Sequence, residues 1–209
     1  EGRTEVTMQI YPLATSTIDW GDGTVEQKPF TSGARLTLNH TYPTAGDYVI
    51  SIEVEGGKTL ILGDGGSNNG VFGYGATPST NRLLRKAELG VGVKVERYVF
   101  YKQSELTTVT IPNDTKWEYV DGLFTFCYSL KCVVVPDGVT MIPADTFCSA
   151  DCLESILLPD SVTSIGDGAF GDCDSLISIT ISDKVEEIGW NVFYGCDNLT
   201  VYCSESSIV

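Results

Sequence analysis

The chain has 209 residues, of which 42% are hydrophobic and 20% charged, a balance that is ordinary for a globular protein. Its formal net charge is −15, from 28 acidic against 13 basic residues, and a field of that sign repels phosphate backbones and anionic lipid heads. Nucleic acid is therefore not an expected partner. The sequence has no run of about 18 uncharged apolar residues, so insertion into a membrane is not expected either.

The first 57 residues predict an antiparallel β-sandwich. Polar and apolar residues alternate with a period of two in TEVTMQIYP (4–12), ARLTLNHTY (34–42) and DYVISIEVE (47–55). Turn signals separate these runs, and short strands with frequent turns are typical of a sandwich. Trp20 is expected to fill the core, while Asp19 and the Asp22–Gly23 pair are expected to form a tight hairpin turn.

Residues 58–82 form a glycine-rich segment. The part GDGGSNNGVFGYGATPSTN (63–81) holds six glycines and little charge. A flexible linker accounts for this composition, and so does a loop that caps the exposed core of a following solenoid. Phe72 and Tyr74 favour the cap, because a free linker seldom carries aromatic residues.

Residues 83–209 repeat with a period close to 23. Five phenylalanines are each followed six positions later by a leucine: Phe100/Leu106, Phe124/Leu130, Phe147/Leu153, Phe170/Leu176 and Phe193/Leu199. The steps between successive phenylalanines are 24, 23, 23 and 23 residues. An alternating apolar run follows each of the first four leucines, as in LESILLP (153–159), and it matches the L-x-x-L-x-L core of a leucine-rich repeat.

These runs predict a solenoid of about five to six coils with a parallel sheet, the first and degenerate coil starting at Leu83. Each leucine and the residues three and five further on are expected to point inward. The marker phenylalanines are expected to stack in one column. A second apolar position, five residues before each phenylalanine, is expected on the opposite wall: Val95, Tyr119, Ile142, Ile165 and Ile188.

All seven cysteines follow residue 126. Cys127, Cys173 and Cys196 lie three residues after a marker phenylalanine, and Ala150 occupies the same slot in the remaining coil. A slot that takes Cys or Ala predicts a small buried apolar residue, whereas a reactive thiol needs exposure and a basic neighbour. We therefore expect free, buried thiols, with Cys203 turned inward because the last coil, LTVYC, is one residue short. Cys-x-x-Cys and zinc-finger spacings are absent, so no zinc site is expected, and no cofactor or metal ligand is assigned. The regularly spaced aspartates do not have EF-hand spacing, and a calcium site built from neighbouring coils stays open.

Two stretches carry resemblances to known families. IDWGDGT (18–24) followed by NHTYPTAGDYVISIEV (39–54) resembles a PKD (polycystic kidney disease-type) domain, which has an Ig-like fold. The sequence departs from the usual form because Trp20 lies directly against Gly21 and because the domain is short. The repeats, SVTSIGDGAFGDCDSLISITIS (161–182) above all, closely resemble BspA-like leucine-rich repeats.

The sequence predicts a binding protein and not an enzyme. No Ser-His-Asp set, phosphate loop or metal triad is legible, and His40 is expected to make a structural hydrogen bond. The resemblances imply a secreted or cell-surface bacterial adhesion protein whose partner is an extracellular protein, including a host protein. The opening EGRTEV has neither a start methionine nor a signal-peptide core, as expected if an export signal has been removed.

Two other functions remain open at this point. A glycan-binding accessory module of a polysaccharide-utilisation system needs exposed aromatic residues in a row, and Tyr98, Tyr101 and Tyr128 near the coil corners do not repeat in register. A structural spacer is the other.

The candidate binding face is an uncharged stripe of outward-facing strand residues. Between the inward residues of each strand the side chains must face outward. The preference of Thr and Val for strands explains these residues as well as a binding role does. The stripe consists of Thr108, Thr110, Val134, Ser155, Leu157, Ser178, Thr180 and Tyr202.

Overall fold

The protein is described here from a computed structural model, which defines residues 5–30, 36–44, 46–57, 60–62, 84–115, 117 and 120–204. Six short strands build the N-terminal part: β1 (Glu5–Pro12), β2 (Ser16–Asp19), β3 (Val25–Lys28), β4 (Leu36–Thr41), β5 (Ser51–Val54) and β6 (Leu60–Leu62). Strand β1 pairs antiparallel with β4 and β6, and β2 pairs antiparallel with β3 and β5. A 3-10 turn at Glu55–Gly57 precedes β6, and the described part of the chain has no other helical element.

The hairpin between β2 and β3 has the predicted turn chemistry. The Asp19 carboxylate accepts a hydrogen bond from the Gly21 amide at 2.8 Å, and that of Asp22 accepts one from the Thr24 amide at 2.9 Å. Gly21 has φ +78°, and a Cβ there would overlap the backbone of Val49, so only glycine fits. Trp20 is fully buried beside this turn, as predicted.

Strand β6 joins the N-terminal sheet to the solenoid. It pairs antiparallel with β1 and parallel with β8 (Lys94–Val95), with Leu62 opposite Val95. The range 58–82, expected to be a linker or a cap, therefore contains a strand that is shared by both parts. The rest of that range, including Phe72 and Tyr74, lies outside the described residues, as does Leu83. Buried side chains from both parts form one continuous cluster.

The solenoid stacks parallel strands along two walls. The first wall contains β7 (Lys86–Glu88), β9 (Thr108–Thr110), β10 (Cys132–Val133), β12 (Ser155–Leu157), β14 (Ser178–Ser182) and β16 (Thr200–Ser204). These strands form two three-stranded sheets, in the orders β7-β9-β10 and β12-β14-β16. The predicted parallel solenoid is confirmed. Pairing of Lys86 with Thr108 places Leu84 level with Leu106, so the first strand run starts one residue after the predicted position.

The interior of the solenoid is a column of phenylalanine rings. Neighbouring centroids are 5.3, 5.5, 5.2 and 5.7 Å apart from Phe100 to Phe193, and each pair is stacked. The leucine six residues after each of the first four phenylalanines is fully buried. In those strands the residues three and five further on are also buried, so the predicted inward pattern is confirmed.

The opposite wall follows the prediction in its C-terminal half. Strands β11 (Met141–Ile142), β13 (Ser164–Ile165) and β15 (Glu187–Ile188) are parallel, with Ile142, Ile165 and Ile188 in one row. Ile142 and Ile165 are buried as expected, whereas Ile188 in the last coil is 56% exposed. Tyr119, expected in this row, lies outside the described residues. Nearby, the buried Trp117 packs 6.2 Å from the rings of Phe124 and Phe147. The single 24-residue step falls in this stretch, where one extra residue shifts the register.

Each coil corner uses left-handed backbone at two fixed positions, two residues before and two residues after the marker phenylalanine. The first series is Tyr98, Gly122, Asp145, Gly168 and Asn191, and the second is Lys102, Phe126, Ser149, Asp172 and Gly195. For a residue other than glycine, this conformation costs about 1 kcal/mol of conformational free energy. The conformation aims amides at the next coil: the Tyr98 amide donates to the Asp121 carbonyl at 3.1 Å, and that of Phe126 donates to Cys148 at 2.9 Å.

Candidate binding surfaces of the solenoid

The candidate stripe lies on the outward side of the first wall. Strand register places Leu157, Thr180 and Tyr202 in one row, with Ser155 and Ser178 in the row beside it. Thr108 and Thr110 lie on β9, and Val134 directly follows β10. Because β10 and β12 belong to different sheets, the stripe has two segments.

The apolar members of the stripe are well exposed. Leu157 is 77% exposed, Val134 67% and Tyr202 55%. Thr110 and Ser155 are exposed, while Thr108, Ser178 and Thr180 are half-buried. The stripe therefore offers uncharged and partly apolar surface that a partner could desolvate at low cost.

Sequence reasoning missed two features of this wall. Ile177, directly before β14, is 57% exposed and widens the apolar surface. At the N-terminal end, Lys86 pairs with Thr108 and Glu88 with Thr110, so the two rows of the stripe start on charged residues. Counting the repeat offset back from Leu106 to Leu84 would have found the two charged residues.

At the cysteine slot, thiol groups form hydrogen bonds between neighbouring coils. The Sγ atoms of Cys127, Cys173 and Cys196 donate to the carbonyls of Phe100, Phe147 and Phe170 in the preceding coil, at 3.0, 3.1 and 3.0 Å. Burial raises the pKa of Cys127, and the adjacent Cys196 thiol together with burial raises that of Cys173. Both groups therefore stay protonated donors at neutral pH. The seven cysteines are free thiols in the structure.

Cys203 corrects one expectation. It pairs with the buried Ile181 and so has the inward register that the shortened last coil predicted. Its side chain is nevertheless exposed, because the stacking on β16 is one-sided.

Four aromatic side chains form a connected cluster on the corner of the first two coils; one of them, Tyr128, is 41% exposed and the other three are half-buried. We call Tyr98, Tyr101, Phe126 and Tyr128 the aromatic corner. The centroid distances are 5.5 Å from Tyr98 to Tyr101, 5.6 Å from Tyr101 to Phe126 and 6.0 Å from Phe126 to Tyr128. These tyrosines do not repeat in register, as the sequence indicated, but Phe126 links Tyr101 to Tyr128, a contact that the sequence did not predict.

Later coils have aspartates where the first two have rings. Asp145 and Asp172 occupy the left-handed positions that Tyr98 and Phe126 occupy earlier. Burial raises the pKa of Asp145, with added repulsion from Asp121 and Asp167. Burial and the neighbouring Asp174 and Asp172 raise the pKa of Asp151. Among the residues that the structure defines, no group of three His, Cys, Asp or Glu side chains is arranged to hold a metal ion.

His40 has the structural role that the sequence predicted. Its Nε2 lies 2.8 Å from Asp22 Oδ2, and its ring stacks on Trp20 with centroids 4.6 Å apart. The hydrogen bond with His40 is the main cause that lowers the pKa of Asp22. Tyr42 completes the cluster by donating its hydroxyl to the Trp20 carbonyl at 3.0 Å.

Comparisons with known proteins place the repeats in a family. Residues 92–200, just over half of the chain, match the BspA type leucine rich repeat region in six copies. No curated protein sequence matches the chain. Within the residues described, no helix has the length and apolarity needed to cross a membrane.

Solved structures share the solenoid. A leucine rich cell surface protein from Faecalibacterium prausnitzii is 27% identical with a TM-score of 0.54, over 59% of this chain and 33% of its own. A leucine-rich repeat protein from Bacteroides ovatus is 28% identical with a TM-score of 0.53, over 57% of this chain and 33% of its own. The match therefore spans about a third of each of these two proteins.

A third neighbour supports the fold alone. The T. pallidum leucine rich repeat protein is 24% identical with a TM-score of 0.56, over 71% of this chain and 65% of its own. The phenylalanine column, the parallel walls and the match over residues 92–200 agree with one another. The chain belongs to the BspA type leucine rich repeat family.

Proposed function

We propose that this chain is a non-enzymatic binding module that recognises an extracellular protein through the candidate stripe. One observation carries the proposal. In a chain of net charge −15, the stripe is uncharged, yet Leu157 and Val134 are more than two-thirds exposed. Strand propensity favours Thr and Val at such positions but does not explain an exposed leucine in the same row. Exposed apolar surface of this kind is typical of protein-binding sites.

We also propose a cell-surface or secreted location and a PKD-like, Ig-like identity for the N-terminal part. The Faecalibacterium prausnitzii relative is a leucine rich cell surface protein, which supports the first proposal. The Trp20–Gly23 turn, its contact with His40 and the antiparallel sheets support the second. Protease shaving of intact cells of the source organism tests the location: unchanged protein after digestion contradicts it.

The binding proposal is tested by replacing stripe residues with lysine. Partners are captured from extracellular protein extracts, identified, purified and titrated by calorimetry against the wild-type chain. A variant with Lys at Thr110, Val134, Leu157 and Thr180 should bind about tenfold or more weakly, since each charge must be desolvated on docking. A matched control carries Met141→Lys and Ser164→Lys on the opposite wall.

The control should bind as the wild type does. Unchanged affinity in the quadruple variant, with the circular dichroism spectrum retained, would contradict the stripe as the binding face and direct attention to the N-terminal part. Equal losses in both variants would indicate a general charge effect and would also contradict it.

A further inference from the structure

The aromatic corner carries bulky side chains at positions where the repeat uses left-handed backbone. Tyr98 and Phe126 have φ values of 59° and 61°, in the left-handed region that bulky side chains rarely adopt. At the same repeat positions other coils place glycine, as at Gly168 and Gly195, or small polar residues. Strained residues of this kind cluster at binding sites.

The neighbouring coil makes room for the Tyr98 ring. Gly122 lies one coil further on, and a Cβ there would overlap the Tyr98 ring. The Tyr98 ring therefore occupies the space that a side chain at position 122 would need. The next member of the series, Asp145, contacts Gly168 in the same way. The contact between a side chain and the glycine of the next coil is therefore a feature of the repeat, whereas an aromatic side chain at this position is specific to the aromatic corner.

The rings are framed by groups of both charges. Arg97 and Asp121 form a partly exposed ion pair at 3.1 Å beside Tyr98. Lys102 Nζ lies 4.8 Å from the centroid of Tyr101 and 5.9 Å from that of Phe126. Since an ammonium group of the chain already occupies these ring faces, a cationic ligand would be repelled, and the overall charge of −15 disfavours an anionic one.

We propose that the aromatic corner binds a neutral carbohydrate, at a site separate from the candidate stripe. Aromatic faces are electron-rich and attract the weakly positive C–H faces of sugar rings. Because Lys102 lies over Tyr101 and Phe126, the stacking surface for the sugar is the ring of Tyr128, which is 41% exposed, with Tyr101 and Phe126 holding it in place through their ring contacts. Sugar hydroxyls both donate and accept, and so match Arg97 and Lys102 as donors and Asp121 as an acceptor.

A proline-rich peptide is the other ligand that aromatic surfaces commonly bind. The charged groups around the aromatic corner disfavour such a peptide. The carboxylates of Asp121 and Asp145 only accept hydrogen bonds, and prolines have no N–H to donate. Asp121 is already paired with Arg97, but such a peptide would bring no donor to the Asp145 carboxylate that it covers, whereas sugar hydroxyls would.

The test uses saturation-transfer NMR on the full chain with four neutral hexasaccharides built from glucose, mannose, galactose or N-acetylglucosamine, and with a decaproline peptide. We expect transfer to at least one sugar and none to decaproline. Tyr101→Ala and Tyr128→Ala should each weaken that sugar by roughly tenfold. The matched control is Tyr194→Ala, because Tyr194 is exposed and occupies the repeat position of Tyr101 in the last coil.

The control should leave sugar binding unchanged, and lysine substitutions in the stripe should leave it unchanged as well. Gly122→Ala should also weaken binding, because the new Cβ displaces the Tyr98 ring. Absence of transfer to all four sugars, transfer to decaproline alone, or equal loss in the Tyr194→Ala variant would each overturn the proposal. Loss of protein binding in the stripe variants would leave this inference intact, so the two proposals fail separately.

Discussion

The N-terminal sheets and the solenoid bury their cores by different means. In the N-terminal part, each tie occurs once: His40 pairs with Asp22, Tyr42 bonds to the Trp20 carbonyl, and Trp20 donates from Nε1 to Glu26. In the solenoid, one ring contact and one thiol bond recur from coil to coil. A part of the fold that is held by interactions occurring only once depends on each of the residues that make them. In a solenoid, the stabilisation from a repeated contact adds up over neighbouring coils.

The largest expected effect comes from breaking the phenylalanine column at its centre. Phe147 is fully buried between Phe124 and Phe170, at 5.5 and 5.2 Å. Phe147→Ala should lower the free energy of unfolding by about 3–5 kcal/mol, through lost burial and a residual cavity. Urea denaturation followed by circular dichroism measures it. Tyr194→Ala, an exposed aromatic truncation, should cost less than about 0.5 kcal/mol; equal costs would refute the column as the main support.

Loss of the hydrogen bond between Tyr42 and the Trp20 carbonyl in the N-terminal part should have the next largest effect on stability. Tyr42→Phe removes the hydroxyl that donates to the Trp20 carbonyl and leaves a buried acceptor without its partner. Unfolding free energy should fall by about 1–2 kcal/mol. The matched control is Tyr48→Phe, whose hydroxyl bonds to the exposed Thr44 carbonyl. If both variants unfold at the same urea concentration, Tyr42 does not have this role.

The repeated thiol hydrogen bond should contribute less to stability than the Tyr42 hydrogen bond does. Cys173→Ala deletes donation to the Phe147 carbonyl and should cost about 1 kcal/mol. The chain provides its own reciprocal test, because Ala150 occupies the same slot, where Ala150→Cys should add a thiol aimed at the Phe124 carbonyl and should not destabilise. Mass mapping under non-reducing conditions should find Cys173 and Cys196 unpaired. A disulfide between them, or a strongly destabilised Ala150→Cys variant, would contradict the packing role.

The repeat made the solenoid predictable, because five copies average out local exceptions. Phe147, Leu153 and Ile156 each have counterparts a fixed step away, so their burial followed from counting. The aromatic corner was not predictable in this way. Tyr98, Tyr101, Phe126 and Tyr128 occupy four different repeat positions, and only the packing of one coil on the next brings their rings together. In the N-terminal part, the partnership of His40 with Asp22 depends on tertiary pairing that a single sequence does not display.

The smallest expected effect concerns acid, and it has opposite signs in the two parts. The pKa of Asp22 is lowered from its ordinary value of 3.8, chiefly by His40, and that of Glu26 is lowered from 4.5, chiefly by Lys28. Their stabilisation is present above those ordinary values and is lost as the pH falls through the lower folded values. Burial raises the pKa of Asp145 and Asp151, so the folded solenoid binds these protons more tightly than the unfolded chain does.

On acidification the solenoid should therefore gain stability as the pH falls from the raised folded values toward 3.8, whereas the N-terminal part should lose stability once the pH falls below 4.5 for Glu26 and below 3.8 for Asp22. Hydrogen exchange, corrected for the intrinsic rate at each pH, resolves the two parts through peptides from β2–β3 and from β12–β14. Asp145→Asn serves as the control, because it removes one titrating group and should flatten the response of the solenoid without changing that of the N-terminal hairpin. Parallel loss of protection in both parts as the pH falls would show that Asp145 and Asp151 do not set the acid response of the solenoid.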